Sequence, residues 1–276
     1  MENIYKPVKC EVSDVFKESS TIKTVRLTPV EQFSFQAGQF ISFTVPGVGE
    51  APFTPSSSPF EKNYIDVTVM KTGRVTGAIH ELKKGDITGI RGPYGKPYPL
   101  EKFNNKNILL VGGGVGLAPL RALFYALVET LDNYKSIVFC CGAKTPDDFI
   151  FKQEVFETWL SEKWLSSRGQ VCFRITVDKK DAGWNYGDGV VTKTLDGLPC
   201  SPENAIVCGP PIMMKFTTLK LLDVGYKPEN IYLSMERKMY CAIGQCRHCL
   251  IGDKFVCKDG PVFTYEEIKG QPKIWA

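Results

Sequence analysis

The sequence predicts a small antiparallel β-barrel, then a doubly wound parallel α/β domain, then a small C-terminal lobe that holds a metal centre. Three observations support this fold class. Apolar and polar residues alternate with period two from residue 8 to about 70. After Asn104, apolar strand-like runs alternate with helical patterns, and four cysteines cluster between Cys241 and Cys257. The predicted domains are 1–103, 104–235 and 236–276.

Composition places the chain among ordinary globular proteins. Its 276 residues, 43% hydrophobic and 23% charged, suffice for two domains and an appendage. The net charge is +4 and no run of five Lys or Arg occurs, so a nucleic-acid partner has no support. The N-terminus lacks a signal-peptide pattern, and the most apolar stretch is interrupted by glycines and a proline. We therefore expect a cytoplasmic protein without membrane insertion.

Six of the ten cysteines lie outside the C-terminal cluster, mostly in apolar strand-like runs. In a reducing compartment such residues are buried thiols rather than disulfide partners. The sequence therefore predicts buried thiols at Cys10, Cys140, Cys141, Cys172, Cys200 and Cys208.

The barrel strands are predicted from alternating runs between turn residues: VKCEVSDVF, TIKTVRLT, QFISFTV, YIDVTVM and DITGIRG. One short helix is expected at residues 75–85, with Thr76 as its cap and Gly85 at its end. The segment Pro52–Ser58 is rich in proline and hydroxyl groups and is expected to be a turn between strands. It is either a plain surface loop or a site offering an aromatic face and hydroxyl donors to a flat ring.

The α/β domain is predicted from strands NILLVG, SIVFCCGA, QVCFRITV, NAIVCG and ENIYLSM, the last at residues 229–235 closing the sheet. The intervening helical patterns are LAPLRALFYALVETL, DDFIFKQEVFETWLSEKW, a short helix near Val190–Leu195 and PPIMMKFTTLKLLDVG. This alternation is typical of a parallel sheet with helices on both faces.

Three segments could bind phosphate or a nicotinamide ring. Gly112–Pro119 follows a strand and opens a helix, which suits a pyrophosphate, although a tight turn without a ligand has the same pattern. Gly73–Gly77 opens the barrel helix and is either a second phosphate site or an ordinary cap. Cys208–Pro211 follows a strand, where the thiol either faces a nicotinamide ring or is simply buried.

The four cysteines Cys241, Cys246, Cys249 and Cys257 have the spacing Cys-x4-Cys-x2-Cys-x7-Cys. This is the plant-type spacing for a [2Fe-2S] cluster. The alternative is a four-cysteine zinc site, in which paired ligands usually have two to four residues between them. His248 lies between two of these cysteines and is either a Rieske-type ligand or a solvent-facing residue. The other histidine, His80, is expected to be structural.

In this order, the motifs resemble the ferredoxin-NADP reductase superfamily. The closer resemblance is to its subgroup with a C-terminal [2Fe-2S] lobe, which includes the B subunit of anaerobic sulfite reductase, the gamma subunit of sulfhydrogenase and the electron-transfer subunit of dihydroorotate dehydrogenase B. Four further segments support this resemblance: Gly38–Phe40, Arg91–Gly95, Glu236–Met239 and the tail Val256–Phe263. The tail is specific to the sulfhydrogenase and sulfite reductase members.

The resemblance implies an FAD-binding barrel, an NAD(P)-binding domain and a cluster-binding lobe. It places Thr54 near flavin N5 and Cys208 near the nicotinamide as catalytic groups. The implied cofactor-binding residues are Phe53, Thr54, Ser56, Ser57, Val69, Lys71, Gly73, Val75, Thr76, Gly112, Gly114, Val115, Gly116, Cys208, Gly209 and Pro210. The family arginine that pairs with FAD phosphate is Ala51 here, so backbone amides and Thr76, with Arg74 or Arg91 helping, would replace it.

The resemblance predicts an NAD(P)H-dependent, diaphorase-type electron-transfer subunit. It would work with catalytic and iron-sulfur subunits of a hetero-oligomeric redox complex. The alternative is a redox-sensing scaffold without turnover. Lys144 and Thr145 could bind a 2'-phosphate, but the nearby Asp147 and Asp148 favour NADH. The cations Arg237, Lys238, Arg247, Lys254 and Lys258 around the ligands are either a docking face or a solvated surface.

Overall fold

The computed structural model describes residues 5–198 and 203–275. The chain forms two compact units. The first contains the described residues through Tyr98 together with Arg121–Ala126 and Met235–Val262, and the second contains the rest. The domain boundaries predicted from the sequence stay a prediction.

The first unit is built on six antiparallel strands. The strands are β1 (Val8–Lys17), β2 (Ile22–Pro29), β3 (Phe40–Val45), β4 (Gly49–Phe53), β5 (Ile65–Met70) and β6 (Ile87–Tyr94). They lie in the order β4-β3-β6-β1-β2-β5. Alternate residues point inward, so Leu27, Phe43 and Ile90 are fully buried. The predicted barrel-like sheet is thereby confirmed.

Two local predictions in this unit were wrong. Pro52 and Phe53 belong to strand β4, where Pro52 pairs with Ser42, rather than to a turn. This placement is compatible with proline because β4 is an edge strand. Helix α1 (Arg74–Glu81) ends four residues before Gly85, and its N-cap is Gly73. Thr76 lies in the first turn, where its hydroxyl accepts the backbone N–H of Gly73 at 2.8 Å.

The second unit contains most of a seven-stranded sheet. The strands are β7 (Asn107–Gly113), β8 (Ser136–Ala143), β9 (Val171–Val177), β10 (Gly187–Asp188), β11 (Asn204–Cys208), β12 (Ile231–Ser234) and β15 (Val262–Thr264). They lie in the order β10-β9-β8-β7-β11-β12-β15. The pairs from β10 through β12 are parallel, as the sequence predicts. The chain runs outward from β7 through β8 and β9, then returns to start β11 on the other side of β7.

Two longer helices cover this sheet, α2 (Leu117–Glu129) and α4 (Pro211–Asp223). The long helix expected across residues 147–164 is instead broken into a 3-10 turn, a π-helix (Gln153–Trp159) and the short α3 (Glu162–Ser166). Phe149 and Trp159 are buried in this segment, so aromatic packing overrides regular helix geometry. The helix expected near Val190 is a 3-10 helix, Val191–Leu195.

The C-terminal lobe contains the β13 (Leu250–Ile251) and β14 (Lys254–Phe255) hairpin, followed by α5 (Val256–Asp259). The lobe packs directly against the barrel at Gly95. A Cβ on Gly95 would lie 2.6 Å from Pro261, so no side chain fits at this contact. The N–H of Lys96 donates to the carbonyl of Gly260 at 2.6 Å. Strand β15 lies beyond β12 at the sheet edge, so β12 is not the last strand as predicted. Helix α6 (Tyr265–Ile268) follows.

The cysteines outside the lobe mostly match the prediction. Cys10, Cys140, Cys141 and Cys208 are buried, and burial raises the pKa of Cys10 to about 12. Cys172 is exposed, contrary to the prediction. Its neighbour Val171 is buried, because successive side chains of a strand point to opposite faces of the sheet. Cys200 lies outside the described residues.

Candidate cofactor and cluster sites

The end of strand β4 offers an aromatic face. Phe53 is half-buried, and its ring meets that of Phe43 edge-on, with centroids 6.3 Å apart. Because Phe43 is fully buried, it fixes the inner edge of the Phe53 ring and leaves part of that ring at the surface. Thr54 follows directly and is also half-buried. This pair has the chemistry that a flat heteroaromatic ring requires.

The two serines that follow do not present their hydroxyls outward. Ser56 and Ser57 are almost completely buried. The Ser56 hydroxyl shares a 2.8 Å hydrogen bond with Thr68, and the Ser57 hydroxyl accepts the N–H of Asp66 at 3.1 Å. Val69 is likewise in the barrel core. These side chains therefore shape the loop from within.

Helix α1 begins beside an open backbone surface. A Cβ on Gly73 would meet no atom within 4 Å. The N–H of Gly73 is already donated to Thr76, so the amides available to an anion are those of Arg74, Val75 and Thr76. Lys71 is exposed nearby in sequence, with Glu81 3.5 Å from its Nζ. An FAD phosphate fits this terminus without steric obstruction.

Arg91 and Arg74 differ as replacements for the family arginine. Arg91 is buried and makes a two-point contact with Glu50, the residue before Ala51, with its Nε 2.9 Å and its Nη2 2.5 Å from the two carboxylate oxygens. Burial pushes the pKa of Glu50 upward, but the hydrogen bonds and charge of Arg91 outweigh it, so the pKa lies below the ordinary value. Arg74 is exposed and donates to the Val48 carbonyl, at 2.5 Å. Arg91 is thus committed to the protein, whereas Arg74 stands at the surface.

The glycine loop lies at the carboxyl end of β7, where the sheet reverses its direction of winding. Strands β7 and β11 are parallel neighbours there, with Gly112 opposite Cys208. Ligands of open α/β sheets bind in the crevice at such a reversal point. Gly114 has a φ of +56°, and a Cβ on it would meet no atom within 4 Å. Its backbone is therefore open to a ligand.

Gly116 has the opposite environment. A Cβ on it would lie 2.5 Å from the carbonyl carbon of Cys208 and from Cα of Gly209. The loops after β7 and β11 thus pack backbone against backbone. Gly209 has a φ of +159° and packs closely against Met213. Gly116 and Gly209 are therefore required because neighbouring protein atoms pack closely against them, whether or not a ligand is bound.

Cys208 is only 4% exposed. Its backbone lines the crevice, because it faces both Gly112 and Gly116. Pro210 is the N-cap residue of α4. The predicted nucleotide residues therefore converge at one sheet edge. The catalytic role of the Cys208 thiol stays a prediction.

The four lobe cysteines are arranged as two pairs. Cys249 and Cys257 are buried, with their sulfurs 3.4 Å apart. Cys241 and Cys246 are half-buried, and the N–H of Cys246 points to the Cys241 sulfur at 3.4 Å. Backbone amides also reach the sulfurs of Cys241 and Cys257, from Gln245 at 3.3 Å and from Gly244 at 3.1 Å. Amide donors of this kind stabilise thiolates.

This arrangement bears on the choice between zinc and iron. A zinc ion needs four donors around one centre, whereas a [2Fe-2S] cluster places two thiolates on each of two irons. The contacts between Cys249 and Cys257 and between Cys241 and Cys246 fit the cluster. The pKa of Cys246 is lowered to about 7, first by a backbone hydrogen bond from His248 and then by one involving Cys241, whereas burial raises the pKa of Cys257 to about 12.

Both histidines have protein partners. His248 is exposed, lies with Nδ1 3.0 Å from the carbonyl oxygen of Cys246 and meets the ring of Tyr240 edge-on. This position is that of a solvent-facing residue beside the ligands rather than of a ligand. His80 is buried in the last turn of α1, with Nε2 2.8 Å from the carbonyl oxygen of Val69. It is structural, as expected.

Sequence reasoning missed a charged cluster behind the flavin-side loop. Asp66 is 2% exposed and accepts two hydrogen bonds from Arg26, at 2.8 and 3.0 Å. Arg121 donates to the Ser56 carbonyl at 2.9 Å and lies 3.5 Å from the Asp66 carboxylate. The signal was Arg121 itself, a single charge in the apolar run LAPLRALFYALV, because a buried charge requires a partner.

Three family models match the chain. An oxidoreductase FAD-binding domain matches residues 9–98, and an oxidoreductase NAD-binding domain matches residues 110–218. The iron-sulfur cluster binding domain of dihydroorotate dehydrogenase B matches residues 236–269. The fold and the sites thus define an oxidoreductase with FAD-binding, NAD-binding and iron-sulfur-binding domains.

Relatives extend over nearly the whole chain. The gamma subunit of sulfhydrogenase 1 from Pyrococcus furiosus is 38% identical over 250 residues, covering 88% of this chain and 84% of its own. A probable dihydroorotate dehydrogenase B electron transfer subunit of Methanocaldococcus jannaschii is 34% identical, covering 96% and 92%. A solved NADH-dependent reduced ferredoxin-NADP oxidoreductase chain has a TM-score of 0.74 at 28% identity, covering 94% of this chain and 89% of its own.

This chain belongs to the ferredoxin-NADP reductase-like family of iron-sulfur electron-transfer subunits that includes those of sulfhydrogenase and of dihydroorotate dehydrogenase B. The predicted family, fold class and cofactor classes are confirmed. No helix in the described part of the chain is long and apolar enough to cross a membrane.

Proposed function

We propose that this chain is a diaphorase-type subunit that exchanges a hydride pair with NAD(P)H and single electrons with a partner subunit. The observation that carries the proposal is the pairing of the four lobe cysteines in a chain with FAD-binding and NAD-binding domains. When bound, flavin and cluster supply the conversion between paired and single electrons. The protein supplies placement and electrostatics.

On the barrel, Phe53 would support the flavin ring and Thr54 would offer a hydroxyl to flavin N5. The free amides at the start of α1 would hold phosphate, with Val75 and Thr76 nearest the terminus. Arg74 is the better replacement for the family arginine, because the buried Arg91 is paired with Glu50. Lys71 is a second exposed cation suited to phosphate.

In the α/β domain, Gly114 and Val115 would approach the nucleotide pyrophosphate, and Gly116 would keep the loop against Cys208 and Gly209. We propose that Cys208 contributes to the floor of the nicotinamide site, since its side chain is almost fully buried. This packing would exclude water from one side of the reacting ring.

We propose NADH as the preferred nucleotide. Asp178 is exposed directly after β9, and its N–H donates to the carbonyl of Ala143 at the end of β8. A carboxylate at this edge would repel a 2'-phosphate. Thr145 is less suited to bind that phosphate, because its hydroxyl donates to Asp148 at 2.8 Å. Lys144 is the cation at this strand end that favours NADPH.

The partner is proposed to be a catalytic subunit of the sulfhydrogenase or anaerobic sulfite reductase type, with dihydroorotate dehydrogenase as the third choice. The tail Val256–Phe263 supports the first two. A cytoplasmic location is part of this proposal, because the buried positions of Cys10, Cys140, Cys141 and Cys208 suit thiols in a reducing compartment. Isolation of the complex from native cells, with its subunits identified, would decide among the partners.

The test uses purified protein reconstituted with FAD, iron and sulfide. We expect flavin and iron-sulfur absorbance, bleaching of the flavin band by NADH, and then reduction of the cluster. A sample that carries zinc and no flavin would support the scaffold alternative. Bound flavin that NADH does not bleach would contradict the proposed activity.

A further inference from the structure

The cluster-binding lobe has one pair of ligands near solvent and one pair inside. Cys241 and Cys246 are half-buried, whereas Cys249 and Cys257 are 1% and 2% exposed. Cys241 and Cys246 would therefore be the cluster ligands nearest to an external acceptor. The residues that flank this pair determine what can approach it.

Two exposed rings lie directly beside these ligands. Tyr240 precedes Cys241 and is 50% exposed, and His248 is exposed two residues after Cys246. Their ring centroids are 4.7 Å apart at an interplanar angle of 88°. Tyrosine rings at a surface are enriched in protein interfaces, because they bury large area at a low cost in conformational entropy. An exposed edge-to-face pair is thus a suitable contact centre.

Cations border this ring pair. Lys238 is exposed, with Nζ 5.5 Å from the centroid of the Tyr240 ring. Arg247 is exposed between Cys246 and His248, at a φ of +62°. In a non-glycine residue that left-handed conformation is costly, so the fold fixes where the Arg247 side chain departs from the loop.

The lobe segment around the two rings carries a net positive charge. The segment from residue 236 to 259 contains five cationic and three acidic side chains. One of the acids is used internally, because the Asp259 carboxylate accepts the N–H of Phe255 at 2.7 Å. The other two acids are Glu236 and Asp253. Lys258 lies over the ligand loop, with its Cδ 3.2 Å from the Cβ position of Gly244. The loop that carries the ligand cysteines therefore has more positive than negative side chains.

We propose that Lys238, Tyr240, Arg247 and His248 form a docking surface through which the cluster exchanges electrons with an acidic surface of its redox partner. This proposal rests on the proposed function, in which the cluster is the exit. The rings provide the contact, and the cations provide electrostatic steering, which raises the association rate more than the affinity.

The test measures cluster oxidation directly with two small acceptors of opposite charge. Reconstituted holoprotein is reduced, then mixed with ferricyanide or with hexaammineruthenium(III), and the cluster band is followed. The variant is Lys238→Glu with Arg247→Asp, since aspartate tolerates the left-handed conformation better than most residues. The matched control is Lys17→Glu with Lys62→Glu, two exposed barrel lysines.

Charge reversal should slow the oxidation by anionic ferricyanide by about tenfold at low salt and speed the oxidation by the cationic acceptor. Salt should reduce both effects, and the control pair should change either rate by less than about twofold. If the variant loses its cluster, the neutral pair Lys238→Gln and Arg247→Asn should show a smaller change in the same directions. Equal rates for variant and control would overturn the docking surface.

Two further outcomes separate the possibilities. A shifted cluster midpoint potential that accounts for the whole rate change would show that these cations only tune the cluster, which also overturns the proposal. If NADH fails to reduce the wild-type cluster, the proposed function fails, and the acceptor rates then report on the surface alone. The ring contact is tested by Tyr240→Ala, which should weaken retention of the native partner subunits while leaving both small-acceptor rates within about twofold.

Discussion

Arg91 and Glu50 form a two-point ion pair within the barrel, with Arg91 3% and Glu50 31% exposed at their side chains. Arg91 also donates to the Tyr94 hydroxyl at 2.9 Å, and Glu50 accepts a 3.3 Å hydrogen bond from Thr44. The pair thereby ties β6 to β4, the strand that ends at Phe53. An arginine that the sequence suggests for FAD phosphate is instead part of the support beneath that strand.

Replacement of Arg91 should therefore destabilise the protein before it affects cofactor chemistry. Arg91→Met should lower the free energy of unfolding by about 1–3 kcal/mol, less than for a fully buried pair because water reaches Glu50. Urea unfolding of the apoprotein measures this change, with Lys17→Met as a surface control. If Arg91→Met retains stability but loses FAD affinity, a direct phosphate contact is indicated instead.

The same pair predicts a pH dependence. The folded-state pKa of Glu50 lies below its ordinary value of 4.5, so the ionised form stabilises the fold above that value. This contribution should be lost as pH falls through the lower folded-state pKa. The difference in unfolding free energy between wild type and Glu50→Gln should thus shrink between pH 7 and pH 3. A difference that is constant over this range would contradict the assignment.

Gly116→Ala should disrupt the nucleotide site. The added Cβ would overlap the backbone of Cys208 and Gly209, forcing the two loops apart. We expect a loss of stability of about 1–3 kcal/mol and at least a tenfold weaker binding of NADH. Fluorescence titration and thermal unfolding measure these effects. Gly169→Ala is the control, since a Cβ there meets no atom within 4 Å.

Loss of one ligand should separate the two halves of the electron path. Cys246→Ser should remove or destabilise the iron-sulfur absorbance while FAD binding and bleaching of the flavin by NADH continue. The exposed thiol Cys172 provides the control, because Cys172→Ser should leave the cluster spectrum unchanged. Loss of flavin in the Cys246 variant would show instead that the lobe is required for the barrel to bind FAD.

Asp178→Asn should relax the preference for NADH. Removing the negative charge at the end of β9 is expected to raise kcat/KM for NADPH by about tenfold, with a small change for NADH. Steady-state reduction of ferricyanide with each nucleotide measures both values. A variant that keeps its original ratio would place the discrimination elsewhere, with Lys144 as the next residue to replace.

The sequence predicts the elements whose periodicity is uninterrupted. Strand β2 and helix α2 have clear patterns, so their presence and type are correct. Strand β4 was missed because Gly49 and Pro52 have the composition of a turn, although its edge position tolerates proline. The helix expected over residues 147–164 failed because tertiary packing of Phe149 and Trp159 decides that segment.

The candidate sites, like the secondary structure, were predicted from the sequence only where the signal is local. Cysteine spacing predicts the cluster, because ligand geometry is local in sequence. The role of Ser56 and Ser57 in cofactor binding stays a prediction, and only the structure shows that their hydroxyls bond inside the barrel. The Asp66 cluster requires β2, β5 and α2 to meet, and no local pattern carries that information.

The seating of the lobe on Gly95 has a consequence for protein engineering. Because Gly260 and Pro261 fill the space above Gly95 and bond to Lys96, the cluster segment is not an independent module appended to a finished reductase. Cutting the chain before Met235 would strip cover from the barrel at Gly38 as well, where Val262 lies 3.0 Å from the Cβ position. Grafting this lobe onto another flavoprotein would therefore also require glycines equivalent to Gly38 and Gly95 in the recipient barrel.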